Sequence, residues 1–141
     1  MVIGITFGVF DLFHVGHVNL LKNAHNQCDY LIVGVSSSDR CFAYKHKIPI
    51  IPDLERMEIV RACRYVDEVF LNTGDPNDFN TYIDNVYRYK ASKWFVGSDW
   101  KNTEKFNQMQ KLLRNCQLIY LPHTDGISTT DLINKIQGVQ Q

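Results

Sequence analysis

Five short runs of near-continuous apolar residues recur along this chain, each separated from the next by a helix-like or turn-rich stretch. The first, VIGITFG (2–8), precedes a stretch from His17 to about Asn26 that places Val18, Leu21 and His25 near one face, with Leu20 and Ala24 beside them. DYLIVGVS (29–36), VDEVFLN (66–72), KWFVGS (93–98) and QLIYLP (117–122) are the other four runs. Between them, RCFAYKHKIPIIPD (40–53) reads as a basic loop. Asp53, after Pro52, is placed to cap a helix through Glu55, Ile59 and Ala62. GDPND (74–78) reads as a turn that starts a further helix, and 102–115 reads as helical. Ser128 with Asp131 resembles a capping box opening a last helix, and the tail QGVQQ is expected to fray. Apolar runs of this length are strands buried on both faces, and their alternation with helices predicts an α/β fold: a doubly wound, five-stranded parallel sheet. At 141 residues and 45% apolar content, one core suffices, so residues 1–141 are expected to form a single domain.

Fifteen basic and fifteen acidic side chains cancel, so no global field favours nucleic acid or a membrane surface. From Arg40 to Arg64 there are six Lys/Arg against three Asp/Glu; this local excess suits a small anionic ligand. No segment has the roughly 18 consecutive apolar residues of a membrane span, and the N-terminus lacks a signal-peptide pattern. Cys28, Cys41, Cys63 and Cys116 stand apart without a CxxC pair, which predicts reduced thiols and a cytoplasmic protein.

Open parallel sheets bind ligands at the carboxyl ends of their strands. The segments expected at that edge are GVFDLFHVGH, SSSDR, GSDW and HTDGISTT. They carry most of the unusual chemistry of the sequence. His14 and His17 flank the start of the first helix, where unpaired backbone N–H groups and the macrodipole favour phosphate. Gly16 lets the backbone approach a ligand closely. By spacing alone the pair could contact phosphate, bind a metal, or pack and cap. Metal binding is the weakest of the three, because no third ligand stands at a recognisable spacing.

HVGH after GVFD resembles the HxGH signature of the nucleotidyltransferase superfamily. RYVDEV (64–69), GSDW (97–100) and YLPHTDGISTT (120–130) further resemble the glycerol-3-phosphate cytidylyltransferase family, whose usual last motif is RTEGISTT. The resemblance runs from Ile3 to about Ile136. It implies a Rossmann-like nucleotidyltransferase fold and a cytoplasmic homodimer. The implied reaction joins CTP to a small phospho-alcohol, giving a CDP-alcohol and pyrophosphate for a cell-surface polymer such as teichoic acid or capsule. A phosphate monoester is mostly a dianion at neutral pH, so this nucleophile needs no general base. Charge on the α-phosphorus and on the departing pyrophosphate needs positioned donors and cations.

By the same resemblance, His14 and His17 hold the α- and β-phosphates, Lys45 contacts the CTP phosphates, and Lys47 lies between them and the acceptor. Arg64 matches an arginine approaching the phosphates, and Arg56 matches another at the start of its helix. Surface ion pairs are the ordinary alternative for both arginines. Gly8, Val9, Phe10 and Gly16 border CTP in the first turn, and Gly97, Asp99 and Trp100 border its ribose and base. His123, Thr124, Gly126 and Ile127 enclose the cytosine, and Ser128, Thr129 and Thr130 face phosphates, Thr129 with a catalytic role. Without the resemblance that last segment is an ordinary capped helix after a turn. Asp39, Asp11 and Lys47 are the implied acceptor contacts. Mg²⁺ is expected with CTP, its ligands mostly phosphate and water, and no protein metal ligand is assigned.

Three departures from the family pattern matter. Val9 stands where threonine is usual, and His123 replaces an arginine with a group that titrates near neutral pH. The DPNDFNTYIDN region lacks the lysine expected to face the acceptor, with Asp78 near its place. Glycerol 3-phosphate is the first acceptor implied, glycerol 2-phosphate or another small phospho-alcohol the alternative. An adenylyltransferase of the same fold and a non-catalytic nucleotide-binding module are the competing readings.

Overall fold

The computed structural model describes residues 1–138; of the tail expected to fray, Val139, Gln140 and Gln141 lie outside the described residues. Five strands, β1 (Ile3–Gly8), β2 (Tyr30–Ser36), β3 (Glu68–Asn72), β4 (Lys93–Gly97) and β5 (Gln117–Leu121), form one parallel sheet in the order β3-β2-β1-β4-β5. The doubly wound five-stranded sheet is therefore as expected. Strand order reverses between β1 and β4, so a crevice opens past Gly8 and Gly97, where ligands bind in such sheets.

Helices α1 (Val15–His25) and α3 (Asp53–Arg61) cover one face, where Leu21, Ala24 and Val60 pack on Leu31, Val33, Val35 and Phe95. Helices α4 (Asn80–Arg88) and α5 (Glu104–Leu112) cover the other, where Val86, Phe106 and Met109 pack on Ile5, Ile32 and Trp94. Helix α6 (Thr129–Ile136) closes the chain, with Ser128 at its N-cap accepting from the Asp131 N–H at 3.0 Å.

The basic stretch expected to be a loop is instead largely a helix, α2 (Ser38–Lys45). Ser37 caps it by accepting from the Arg40 N–H, and His46 ends it with φ 55°. Its buried side is Arg40 and Cys41, so no apolar period marks it. Asp53 is also not the cap of α3. Pro52 holds that position, and the Asp53 carboxylate turns back to accept from the Ser38 N–H and hydroxyl and to pair with Arg56.

Arg56 is fully buried, not half of a surface ion pair. Its guanidinium donates to the carbonyls of Ile51 (2.7 Å), Val9 (2.9 Å) and Ser36 (2.7 Å) and meets the Asp53 carboxylate. One side chain thereby locks the ends of β1 and β2 to the 46–52 loop. It is a clamp beneath the site.

Candidate active site

The turn between β1 and α1 is held in an unusual shape. Phe10 and Leu12 both take left-handed φ values, 55° and 51°, which cost non-glycine residues energy unless the surroundings enforce them. Asp11 enforces them. Its buried carboxylate accepts from the N–H groups of Leu12 (3.1 Å), Ile50 (2.8 Å) and Ile51 (3.0 Å). With both oxygens engaged, Asp11 ties this turn to the 46–52 loop.

His14 is the N-cap of α1. Its Nδ1 accepts from the Gly16 N–H at 3.1 Å, and His17 Nδ1 accepts from the His14 N–H at 3.2 Å. A capping role is thus real for both rings, and it fixes their chemistry. A nitrogen that accepts carries no proton, so each neutral ring bears its proton on Nε2 and offers it as a donor. The rings stack with centroids 3.8 Å apart. Phe10 and Phe13 pack on His17 at 5.3 and 5.5 Å. Burial there, with His14 adding repulsion and Asp11 opposing it, lowers the His17 pKa to about 4. Burial, then His123, lowers that of His14. The site therefore presents stacked neutral N–H donors at a helix N-terminus.

That shift fixes a pH dependence. Folded His17 titrates near 4, below its ordinary value of about 6.5, so the unfolded chain binds more protons between these pH values. Stability is retained above pH 6.5 and falls as pH drops toward 4, by roughly 3 kcal/mol from this group. In urea melts from pH 7 to 4, His17→Asn is expected to flatten much of that slope.

Gly16 is the tightest point. A Cβ there would stand 2.8 Å from His14 Cε1 and 3.0 Å from its Nδ1. Gly16→Ala is expected to push the His14 ring aside and lower kcat about 10²-fold, with thermal stability unchanged or slightly lower, since the lost His14 cap offsets alanine's preference for helix. Steady-state kinetics beside a thermal melt checks both signs.

The segment before α6 docks on this helix start. Asn19 Nδ2 donates to Thr124 Oγ1 at 3.0 Å, Ile127 faces the Gly16 backbone, and Gly126 takes φ 81°. The Thr129 hydroxyl donates to the Asp11 carbonyl at 2.9 Å, so this proton is engaged in structure. His123 Nδ1 stands 3.6 Å from Asp99, past the end of β4. Thr130 follows in the first turn of α6.

A cavity of about 280 Å³ opens beside this turn, on the α4 and α5 side of the β1/β4 crevice. Gly8, Val9, Lys45, Gly97 and Trp100 of the expected set line it. So do Arg40 of α2 and Lys105 of α5, neither of which the sequence reading singled out. Lys47 and Asp39 are exposed near the same edge, on the 46–52 loop and in the first turn of α2. Asp78 is not in the cavity; it caps the start of α4, accepting from the Asn80 N–H. Arg64 is not brought to this edge within the chain. It is exposed on the turn from α3 into β3, where the strands begin.

Among the described residues no group of three or more His, Cys, Asp or Glu side chains could hold a metal ion. Imidazole and lysine donors suit phosphate oxygens. A hard divalent ion would arrive on those oxygens rather than in a protein cage.

Residues 5–135 match the family model described as cytidylyltransferase-like. Among curated relatives, glycerol-3-phosphate cytidylyltransferase of Bacillus spizizenii is 38% identical, with 91% of this chain and 92% of that protein covered. FAD synthase of Thermococcus kodakarensis is 34% identical over 92% of this chain and 87% of that one. A solved structure, the lipopolysaccharide core biosynthesis protein of Thermoplasma volcanium, superposes with a TM-score of 0.73 at 26% identity, covering 89% of this chain and 99% of the other. HxGH, the stacked donors and the reversed strand order thus occur together in a chain that belongs to the cytidylyltransferase-like family of nucleotidyltransferases.

Proposed function

We propose that this enzyme transfers the cytidylyl group of CTP to glycerol 3-phosphate, giving CDP-glycerol, an activated glycerol donor for polymer synthesis, and pyrophosphate. The observation that carries the reading is the His14–His17 pair: two Nε2–H donors at the N-terminus of α1, on the turn that follows Gly8 and Val9 of a small cavity lined by cations. A phosphate oxygen of the acceptor attacks the α-phosphorus of CTP. The new O–P bond forms as the bond from that phosphorus to the bridging oxygen of the β-phosphate breaks, and pyrophosphate leaves with the bonding pair. The acceptor is already deprotonated near pH 7 and no proton need be abstracted. His14 and His17 donate to the phosphate oxygens on which charge grows. Being neutral, they stabilise that charge by placed dipoles, assisted by the N-terminus of α1. Lys45, on the cavity wall, adds positive charge. Mg²⁺ accompanies CTP and screens its phosphates.

A cavity of about 280 Å³ suits a small phospho-alcohol. Its lining includes Arg40, Lys45 and Lys105 and no carboxylate, which favours a neutral polyol over an amine on the acceptor. The reading carries a cytoplasmic location, where CTP is made, and a homodimer; exposed Ile48, Ile50 and Leu54 supply apolar surface beside the site. Among the described residues, no helix is long and apolar enough to cross a membrane. Pyrophosphate release with glycerol 3-phosphate, comparing CTP with ATP, tests the nucleotide. CTP is expected to be strongly preferred, and preference for ATP would replace this reading with adenylyl transfer.

A further inference from the structure

Arg40 is 3% exposed, yet no carboxylate pairs with it among the described residues. One guanidinium nitrogen donates to Thr81 Oγ1 at 2.8 Å and, weakly, to the Gly74 carbonyl at 3.5 Å. The other, NH2, is buried without a hydrogen-bond partner. A buried cation lacking both counter-ion and full hydrogen bonding is costly, so a structural role alone does not account for it. Its guanidinium lies 4.7 Å from the centroid of the Tyr82 ring, and Lys105 Nζ stands against the same ring at 5.0 Å. Lys105 also faces the Tyr44 ring at 5.6 Å and donates to the Pro76 carbonyl at 3.2 Å. Tyr82 is itself fixed, stacked on Trp94 and edge-on to Phe7. Two cations from different helices are therefore held on one rigid aromatic ring in the lining of the cavity. The lining has no acidic side chain to balance them.

We propose that Arg40 and Lys105 select the acceptor: they hold it as an anion, supplying from α2 and α5 the charge that the 74–84 segment lacks, and they exclude phospho-alcohols bearing an amine. This rests on the cytidylyl-transfer reading for the identity of the acceptor. The site chemistry also accounts for the aromatic walls. The tyrosine faces that could cradle an ammonium ligand already hold the protein's own cations.

The test is calorimetric binding of glycerol 3-phosphate and of phosphoethanolamine, with a nonreactive CTP analogue present, to the wild type, Lys105→Met, Lys105→Arg and Arg40→Met. Glycerol 3-phosphate is expected to bind the wild type, and each methionine variant to weaken it about tenfold or more. Affinity for the CTP analogue should fall severalfold less than acceptor affinity, since CTP is also held by the two histidines, which stand outside the cavity lining. Lys105→Arg should recover most of the loss, and phosphoethanolamine should bind the wild type poorly. Arg40→Met is expected to fold with undiminished thermal stability, because it removes a charge without a counter-ion. If it does not fold, Lys105→Met decides alone. Unchanged acceptor affinity in Lys105→Met, no binding of glycerol 3-phosphate to the wild type, or phosphoethanolamine binding equally well would each overturn the proposal. A wild type that binds glycerol 3-phosphate through Lys105 but releases no pyrophosphate would instead sink the cytidylyl-transfer reading and leave the anion subsite standing.

Discussion

His17→Asn is expected to lower turnover about 10²- to 10³-fold, the loss associated with one placed transition-state donor. The substitution leaves an amide oxygen that can accept the His14 N–H, so the helix start survives while the ring donor disappears. CTP affinity should fall far less than kcat, because the His17 donor acts on charge that grows only as the bond to pyrophosphate breaks. The same reasoning predicts that an added positive charge is not what this position supplies. With a pKa near 4, His17 is neutral throughout the working range, so the acid limb of kcat/KM should follow the acceptor phosphate's own second ionisation near about 6 and keep the same midpoint in the variant. Steady-state kinetics from pH 5 to 8 on wild type and variant, with calorimetric CTP binding, provides the check. A variant with wild-type turnover would remove the ring from the mechanism and leave it a cap.

Arg56→Met is expected to cost about 3–5 kcal/mol of stability, with a fall in melting temperature on the order of 10 °C. The loss has identifiable parts. The carbonyls of Val9, Ser36 and Ile51 lose charged donors, and Asp53 loses its cationic partner. Because the guanidinium joins the ends of β1 and β2 to the 46–52 loop, turnover of the folded fraction should fall as well, through misplacement of the phosphate-binding turn. A variant that melts with the wild type would show that the clamp is dispensable.

The sheet was legible in the sequence because each parallel strand, covered on both faces, must be apolar along its whole length. The HxGH turn was legible because its residue types are rare in combination. Helix α2 escaped notice for a physical reason: its buried residues are an arginine and a cysteine, so hydrophobic periodicity is absent. The clamp formed by Arg56 was hidden because its main partners are backbone carbonyls from separate segments, which side-chain spacing cannot reveal. In sequence, Lys105 is one lysine among several polar residues of a helical stretch, with no motif around it. Only the strand order places the start of α5 beside the crevice, although a helix that directly follows the switch-point strand β4 should have drawn attention to its first turn. Asp11 is an acceptor contact by resemblance; in the structure its carboxylate bonds to the backbone of a loop about forty residues away, an attachment that local sequence does not encode.

The central claim is bond formation between the acceptor phosphate and the α-phosphorus of CTP, and phosphorus NMR of the reaction mixture tests it most directly. With CTP, Mg²⁺ and glycerol 3-phosphate, two coupled signals of a new diphosphate diester should rise together with free pyrophosphate, as the CTP and glycerol phosphate signals decline in step. An unchanged spectrum, or pyrophosphate accompanied by CMP with glycerol 3-phosphate untouched, would contradict it.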